Sequence, residues 1–291
     1  MSTLAAAKNT VAHRPRRLAL PRKWRNPIGI IGAAIILLTV AVAVAAPVIS
    51  PYPPSDQKAR RLLPPSGAHL MGTDELGRDT FSRILHGAQV SLQVGMISVL
   101  IALVLGTALG VAAGFFGGRL DTWLMRVVDV LFAFPGLILA IVIAGLLGPS
   151  RQNAMIAIGV VYAPAFARVI RGSVLSVMSE PYLEAGRVLG AGNFWLIRHY
   201  VLPNIVAPLI VLTTVYLSTA ILSEATLSFL GLGAQPPEPS WGGMLNIART
   251  YMEIAPWMAI FPGLAIMLVV LGFNFLGDGL RDVLDPRLRV T

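Results

Sequence analysis

The feature that most constrains this chain is a series of long apolar segments that carry few or no charged side chains. The first extends from Ile28 to Ile49 without an Asp, Glu, Lys or Arg. At about 1.5 Å of helix per residue, a segment of this length matches the ~30 Å hydrocarbon core of a bilayer. Only 13% of all residues are charged, whereas a soluble domain carries roughly 25%. Much of the surface is therefore expected to face lipid.

Six such segments predict six transmembrane helices. They cover residues 28–49, 90–116, 123–147, 154–170, 201–222 and 255–276. The fourth is the weakest, because Pro164 interrupts it and Arg168 and Arg171 close it. We therefore predict an all-α integral membrane protein whose spanning helices fold as one unit.

The segments divide the chain into five regions. These are a basic N-terminal segment (1–27), a first transmembrane helix (28–49), an external loop (50–89), a core of five transmembrane helices (90–277) with a long loop at 173–199, and a tail (278–291). An alternative for the first helix is a cleaved secretory signal, because Ala43-Val44-Ala45 resembles a cleavage site. The long apolar run and the long basic lead-in favour a membrane anchor.

The distribution of Lys and Arg predicts the orientation. With both termini in the cytoplasm, the inner segments carry seven, two, four and three basic residues, and the outer loops carry five, one and one. Cytoplasmic segments are enriched in Lys and Arg, so this orientation is favoured and residues 173–199 form the longest cytoplasmic loop. The basic residues then lie beside anionic headgroups, and nucleic-acid binding is not expected.

Several kinds of chemistry are excluded or disfavoured by the residues. The chain has no cysteine and four histidines without helical i,i+3 or i,i+4 spacing, so we expect no metal site and no cofactor. No G-x-x-x-x-G-K-[ST] phosphate loop occurs, so any ATP and Mg²⁺ must be bound by separate subunits. An ATPase-independent channel or secondary transporter would require broken helices or ionisable residues at mid-membrane, and apart from Pro164 the sequence shows neither. A membrane enzyme would require a buried nucleophile or paired acids.

The loop at residues 173–199 predicts two short helices. Ser179-Glu180-Pro181 is typical of a helix start, because proline tolerates the first helical position. The first helix would run from Tyr182 to Leu189 and stop at Gly190. Asn193 would cap a second helix at Phe194–Val201. A rigid pair of this kind suits insertion into a groove on a soluble partner.

The loop and the residues just after it contain Glu184-Ala185-Gly186, then Gly190, then Leu202-Pro203. This pattern resembles the "EAA" loop of ABC importer permeases. In that family Glu-Ala-Ala is followed after three residues by Gly, and after nine more by Ile-x-Leu-Pro. Glu184-Ala185-Gly186, Gly190 and Leu202-Pro203 keep the spacing, with Gly186 for alanine and Tyr200 for isoleucine. The resemblance implies a coupling helix seated on an ATPase subunit, with Glu184 as the anchoring contact and Gly190 as the turn. The coupling residues are Tyr182, Leu183, Glu184, Ala185, Gly186, Val188, Leu189 and Gly190, and the loop is bounded by Pro181, Leu202 and Pro203.

Three further motifs resemble the second, C-type permease of the dipeptide, oligopeptide and nickel importers. They are Gly72-Thr-Asp-Glu-Leu-Gly-Arg-Asp79, Phe229-Leu-Gly-Leu-Gly-Ala-Gln-Pro-Pro237 with Ser240-Trp-Gly-Gly-Met-Leu245, and Asn274-Phe-Leu-Gly-Asp-Gly-Leu-Arg-Asp282. The resemblance implies a type I importer permease of the bacterial inner membrane that pairs with a homologous permease, two ATPases and an external substrate-binding protein. Peptides are the implied substrate, and nickel chelates, glutathione or oligosaccharides are the alternatives within the family.

The external motif residues have a structural interpretation. Asp74, Gly77 and Asp79 suit a tight turn that caps an interfacial helix at Thr80–His86. We expect the external motif residues to build the outer face rather than bind substrate. They are Gly72, Thr73, Asp74, Gly77, Arg78, Asp79, Trp241 and Gly242.

Two features inside the membrane complete the predictions. Gly106, Gly110 and Gly114 are spaced for close helix packing, which could include the seam with the second permease. Glu224 lies about 32 Å of helix beyond Pro203, so we expect a solvated carboxylate at the outer interface or on the rim of a gate.

Overall fold

The computed structural model describes residues 26–284, and this part of the chain contains ten α-helices and no β-strand. Their bounds are α1 Pro27–Ile49, α2 Thr80–Phe116, α3 Gly118–Phe132, α4 Gly136–Leu147, α5 Arg151–Met178, α6 Pro181–Val188, α7 Asn193–Leu196, α8 Leu202–Phe229, α9 Trp241–Ala248 and α10 Trp257–Leu284. A π-helical segment, Ile197–Val201, joins α7 to α8 without a break. Five continuous helices are long and apolar enough to span a membrane, and the bent pair α3–α4 makes a sixth candidate. The predicted number of spans is confirmed.

The two ends of the described chain lie together. Helices α1 and α10 pack antiparallel with Gly29 against Gly279, where a Cβ on Gly29 would come within 2.9 Å of the Gly279 Cα. Asn26 Nδ2 donates a hydrogen bond of 2.6 Å to Asp282 Oδ2. This end of the bundle, which also carries α6, is called the inner end, and the opposite end is called the outer end. The basic residues before Asn26 and the last residues of the tail lie outside the described part.

Helix α2 is the centre of the bundle. Its glycines allow α5 to approach closely in a parallel arrangement, because Gly106 faces Ala163 and Phe166, and Gly110 faces Ala167 and Ile170. On another side α2 packs antiparallel to α8, with Gly95 against Ile221. The packing prediction for these glycines is confirmed. The suggestion that they also form the seam with a second permease is wrong, since they are buried against α5 of the same chain.

Several predicted element boundaries are wrong. The interfacial helix at Thr80–His86 and the second span are one helix of 37 residues, about 55 Å long. The predicted fourth span continues to Met178, and the sixth continues through Asp278 to Leu284. The third span is not one helix: it breaks at Ala133–Pro135 and bends by 91°. A proline disfavours helical geometry at the residue before it, and the break lies directly before Pro135. The interruption predicted at Pro164 is wrong, because α5 continues through it.

Candidate functional site: an inner docking loop and an outer cap

Helix α6 begins and ends where its local sequence requires. Glu180 is the N-cap, and Pro181 occupies the first helical position, where its missing N–H leaves no bond unmade. At the other end Gly190 has φ +82°, and Ala191 N donates to Gly186 O over 3.0 Å. This left-handed glycine closes the helix, as is common at helix C-termini. The predicted turn at Gly190 is confirmed, and the helix is shifted by one residue from the predicted Tyr182–Leu189.

The inward side of α6 fixes it to the bundle. Leu183 is buried in a cluster with Ile170, Val174 and Leu196. Gly186 is also buried, and a Cβ there would lie 3.0 Å from Leu196 Cδ2. The replacement of the family's second alanine by Gly186 therefore allows α6 to pack closely on α7.

Aromatic rings hold the second half of the loop in place. Tyr182 packs on Tyr200 with ring centroids 5.4 Å apart, and Trp195 stacks on His199 at 4.6 Å. Tyr200, which replaces the family's isoleucine, contributes to this packing. The predicted cap at Asn193 is wrong: Gly192 is the N-cap and Asn193 is the first helical residue.

The outward side of the loop exposes apolar side chains. Val188, Leu189 and Phe194 are 83%, 87% and 80% exposed. Glu184 lies beside them and is also exposed. We call the set Glu184, Val188, Leu189, Phe194 and Trp195 the docking tip. An exposed apolar patch bearing one carboxylate is typical of a surface that binds another protein.

Two members of the docking tip were missed by the sequence analysis. Phe194 and Trp195 lie outside the motif that carries the family resemblance, and they were treated only as part of a second helix. A signal was present, because two adjacent aromatic residues in an otherwise polar loop require either burial or a partner.

The outer end is closed by a turn that pairs its charges internally. Asp74 accepts hydrogen bonds from the backbone N–H of Leu76 and Arg78, and its Oδ2 pairs with Arg78 Nε at 2.6 Å and Arg83 Nε at 3.5 Å. Arg78 Nη2 also reaches Glu75 at 2.8 Å. Burial raises the pKa of the Glu75 carboxyl above its ordinary value, and the neighbouring Asp74 charge adds to this effect. We call this group the charged turn.

Asp79 connects the charged turn to α2. Its Oδ2 accepts from Ser82 N at 2.8 Å, and its Oδ1 lies 2.9 Å from His69 Nδ1. The predicted cap is confirmed, although the helix that it caps is the long α2. Thr73 Oγ1 donates to Arg60 O over 2.7 Å and accepts from Leu63 N over 2.8 Å, which ties the turn to the preceding loop.

The two left-handed glycines of the turn have no room for a side chain. Gly72 has φ +73° and faces Leu63 O and the Trp257 ring. Gly77 has φ +80° and faces Ala59 O. Both residues must therefore be glycine for the turn to close in this way.

Trp241 joins α9 to α2. It begins α9, a helix that the sequence analysis did not predict, and its Nε1 donates to Ile84 O over 3.0 Å. Gly242 packs directly on the backbone of Ala225 in α8. Helix α9 is thereby fixed between α2 and α8, and Trp241 and Gly242 have the structural role that was expected of them.

Glu224 is not solvated. The residue is 1% exposed and lies between α8 and α2, and Ser228 Oγ donates to its Oε1 over 2.7 Å. The prediction of a solvated or gate-rim carboxylate is wrong. The length of helix from Pro203 correctly predicted that Glu224 lies near the outer end. Whether its side chain faces solvent or another helix depends on how the helices pack.

The charged residues of α3 pair with α5. Asp129 binds Arg168 at 2.7 Å, and Asp121 binds Arg171 through two contacts of 2.5 and 2.6 Å. Both ion pairs join α3 to α5, so the partner of Asp129 is supplied by the neighbouring helix. In the part of the chain that the structure describes, no cluster of His, Asp and Glu could hold a metal ion.

A bundle of six candidate spans with a docking tip at one end and a self-closed cap at the other is the architecture of a multi-pass membrane protein with a surface suited to a partner. Sequence comparison identifies its kind. Residues 106–290 match the profile of the binding-protein-dependent transport system inner membrane component, and residues 15–65 match the N-terminal transmembrane domain of oligopeptide transport permease C. The chain belongs to the family of binding-protein-dependent transport system inner membrane components, which are multi-pass proteins of the bacterial inner membrane.

Similar proteins cover nearly the whole chain. The dipeptide transport system permease DppC of Alkalihalophilus pseudofirmus is 47% identical over 277 residues, covering 94% of this chain and 91% of the relative. The glutathione transport system permease GsiD of Pectobacterium atrosepticum is 43% identical over 291 residues, covering 99% and 97%. The fold is shared with a chain of the methionine ABC transporter MetNI, with a TM-score of 0.56 and 23% identity over 70% of this chain and 97% of that one.

Proposed function

We propose that this chain is one of two homologous permease subunits of an ATP-driven importer for di- and oligopeptides. Relatives named for dipeptide and di/tripeptide transport are 47% and 48% identical to it and support the peptide assignment. The glutathione permeases among its relatives favour a second candidate of related chemistry, because glutathione is itself a small peptide.

The docking tip is the observation that carries the ATP-driven assignment. Its apolar residues are exposed on a loop that the bundle holds firmly by Leu183, Gly186 and the aromatic rings. Burying Val188, Leu189 and Phe194 against a partner would contribute about 1.5 to 3 kcal/mol for each side chain. A rigid loop with such a tip can transmit movement from a soluble subunit to α5 and α8.

The partners supply what this chain lacks. Two ATPase subunits bind ATP and Mg²⁺ and receive the docking tip, and an external binding protein delivers substrate to the outer end. Closure of the ATPase pair on ATP shifts the permeases between inward-facing and outward-facing states, since a ligand that prefers one of two states changes their populations. The chain itself performs no catalysis.

Charge reversal at Glu184 tests this proposal. In vesicles that contain the assembled importer, Glu184→Lys is expected to abolish dipeptide-stimulated ATP hydrolysis and uptake, while the chain still inserts and pairs with its homologous permease. Glu253→Lys is the matched control, because Glu253 is an exposed carboxylate at the outer end. Normal coupled uptake by the Glu184 variant would contradict the coupling assignment.

A further inference from the structure

Most long helices of this bundle expose only apolar side chains at mid-depth. Leu38 of α1 is 67% exposed, and Leu100 of α2 and Leu268 of α10 are also exposed. These side chains suit contact with lipid tails. A helix face that instead carries polar side chains at this depth is therefore unusual in this bundle.

Helix α8 differs from this pattern. Tyr216, Thr219, Ser223 and Thr226 recur at spacings of three and four residues, so they lie on one face of the helix. Thr219 is exposed, and the other three are half-buried. The charged residue of α8, Glu224, lies outside this face and is buried.

A tyrosine of α5 extends this face. The Tyr162 hydroxyl lies 2.6 Å from Ser223 Oγ and 3.5 Å from the Thr219 carbonyl oxygen. Its ring meets Tyr216 edge-on with centroids 5.0 Å apart, and the buried Phe166 supports Tyr216 from behind at 5.3 Å. We call Tyr162, Tyr216, Thr219, Ser223 and Thr226 the hydroxyl face.

The depth of the two tyrosines of the hydroxyl face is the unusual observation. Tyr216 lies at the middle of α8, and Tyr162 lies near the middle of α5. Tyrosines of membrane proteins concentrate at the two interfaces, where the hydroxyl reaches water. At mid-membrane a hydroxyl that faces lipid finds no partner, which costs free energy.

Some groups of the hydroxyl face can still form hydrogen bonds. Thr219 and Thr226 donate to the carbonyl oxygens of Val215 and Leu222 one turn earlier, as threonines in membrane helices often do. Their oxygens can still accept. Among residues 26–284, the Tyr216 hydroxyl has no hydrogen-bond partner. A polar occupant would complete this set of groups.

We propose that the hydroxyl face lines the translocation passage and contacts the peptide backbone of the substrate. This inference rests on the proposed function, and it adds the residues that meet the substrate. Neutral hydroxyls can accept from backbone N–H groups and donate to backbone carbonyls, which every peptide carries. A face without a charged side chain does not discriminate among substrate side-chain charges, so it suits a passage that accepts peptides of varied sequence.

The absence of cysteine from the sequence makes a direct test possible. Thr219→Cys and Ser223→Cys, each in the assembled importer in permeabilised vesicles, are treated with a charged, water-soluble methanethiosulfonate. Leu38→Cys and Leu268→Cys are the lipid-facing controls. Only the thiolate reacts, and a thiol in lipid stays protonated, so we expect the two hydroxyl-face variants to react at least tenfold faster than the controls, as an order-of-magnitude estimate. Dialanine, the probe substrate, should slow the reaction.

Two results would overturn the proposal. A reaction rate no higher than that of the Leu38→Cys and Leu268→Cys controls, without cross-linking to the second permease, would place the face in lipid. The same low rate together with cross-linking to the second permease would place it in a closed seam. The labelling does not require coupled ATP hydrolysis. It can therefore support the hydroxyl face even if Glu184→Lys leaves uptake intact and contradicts the coupling role. The two proposals are tested independently.

A second measurement tests recognition of the backbone. Tyr216→Phe removes one hydroxyl and keeps the ring, and the loss of one neutral hydrogen bond is expected to raise the KM for uptake about three- to tenfold. The increase should be similar for dialanine, Lys-Ala and Glu-Ala. An effect confined to one charge class of peptide, or no change in KM, would contradict backbone recognition.

Discussion

The inner and outer ends of this permease differ in where their side chains find contacts. The charged turn at the outer end buries Asp74, Arg78 and Arg83 and pairs them with one another. The docking tip at the inner end exposes Val188, Leu189 and Phe194, although the loop beneath it is firmly packed. The outer end is complete within one chain, whereas the inner end requires a partner.

The same contrast appears in the glycines of the two ends. Gly77 and Gly190 have nearly the same backbone angle, with φ of +80° and +82°. A side chain at Gly77 would collide with Ala59 O, but at Gly190 nothing lies within 4 Å. The outer glycine is required by its neighbours in the chain, and the inner one leaves space in which a partner can lie.

The largest effect is expected at the charged turn. Asp74→Ala leaves the buried guanidinium groups of Arg78 and Arg83 without their shared partner, which costs about 3–5 kcal/mol of folding free energy. The midpoint of thermal unfolding in detergent measures this loss. Asp56→Ala is the control, because Asp56 pairs with Lys58, whose side chain is 89% exposed. Equal, small shifts for both variants would show that the outer end does not depend on its buried charges.

An intermediate effect is expected from alanine at the two glycines. Gly190→Ala introduces only backbone strain, of about 1–2 kcal/mol. Gly77→Ala adds the collision with Ala59 O and should lower the unfolding midpoint further. Equal unfolding temperatures for the two variants would show that the backbone around Gly77 is not packed more tightly than the backbone around Gly190.

The smallest effect is a change in pH dependence at the outer end. Burial raises the pKa of Glu75 in the folded state above its ordinary value of 4.5. As the pH rises above 4.5, the unfolded chain loses this proton first, so the contribution of Glu75 to folding stability falls until the folded carboxyl also ionises. Glu75→Gln should remove this part of the decline. Unfolding midpoints measured in steps from pH 4 upward test it, and identical pH profiles for the variant and the parent would contradict it.

The sequence predicted which segments enter the membrane better than it predicted where helices end. Hydropathy reports contact with lipid, whereas the ends of a helix depend on its caps. Asp79 therefore starts α2 well outside the apolar run, and α10 continues past Asp278. The break before Pro135 was not readable from proline alone, because Pro164, Pro208 and Pro262 lie inside continuous helices.

The candidate site was predictable where local rules apply. Pro181 and Gly190 fix the ends of α6 by backbone chemistry alone, and both assignments are confirmed. The burial of Glu224 and the pairing of Asp129 with Arg168 depend on which helix lies beside them, and a single sequence does not contain this information. The roles of the coupling residues stay predictions.

The most direct test of the account asks what covers the docking tip. With cysteine introduced as Leu189→Cys, a short bifunctional reagent that joins a thiol to a lysine amine is applied to the assembled importer during ATP turnover. The account predicts rapid cross-linking to the ATPase subunit and slow reaction with a water-soluble monofunctional reagent. Free reaction with that reagent and no cross-link to the ATPase would contradict the claim that the inner end is completed by a motor subunit.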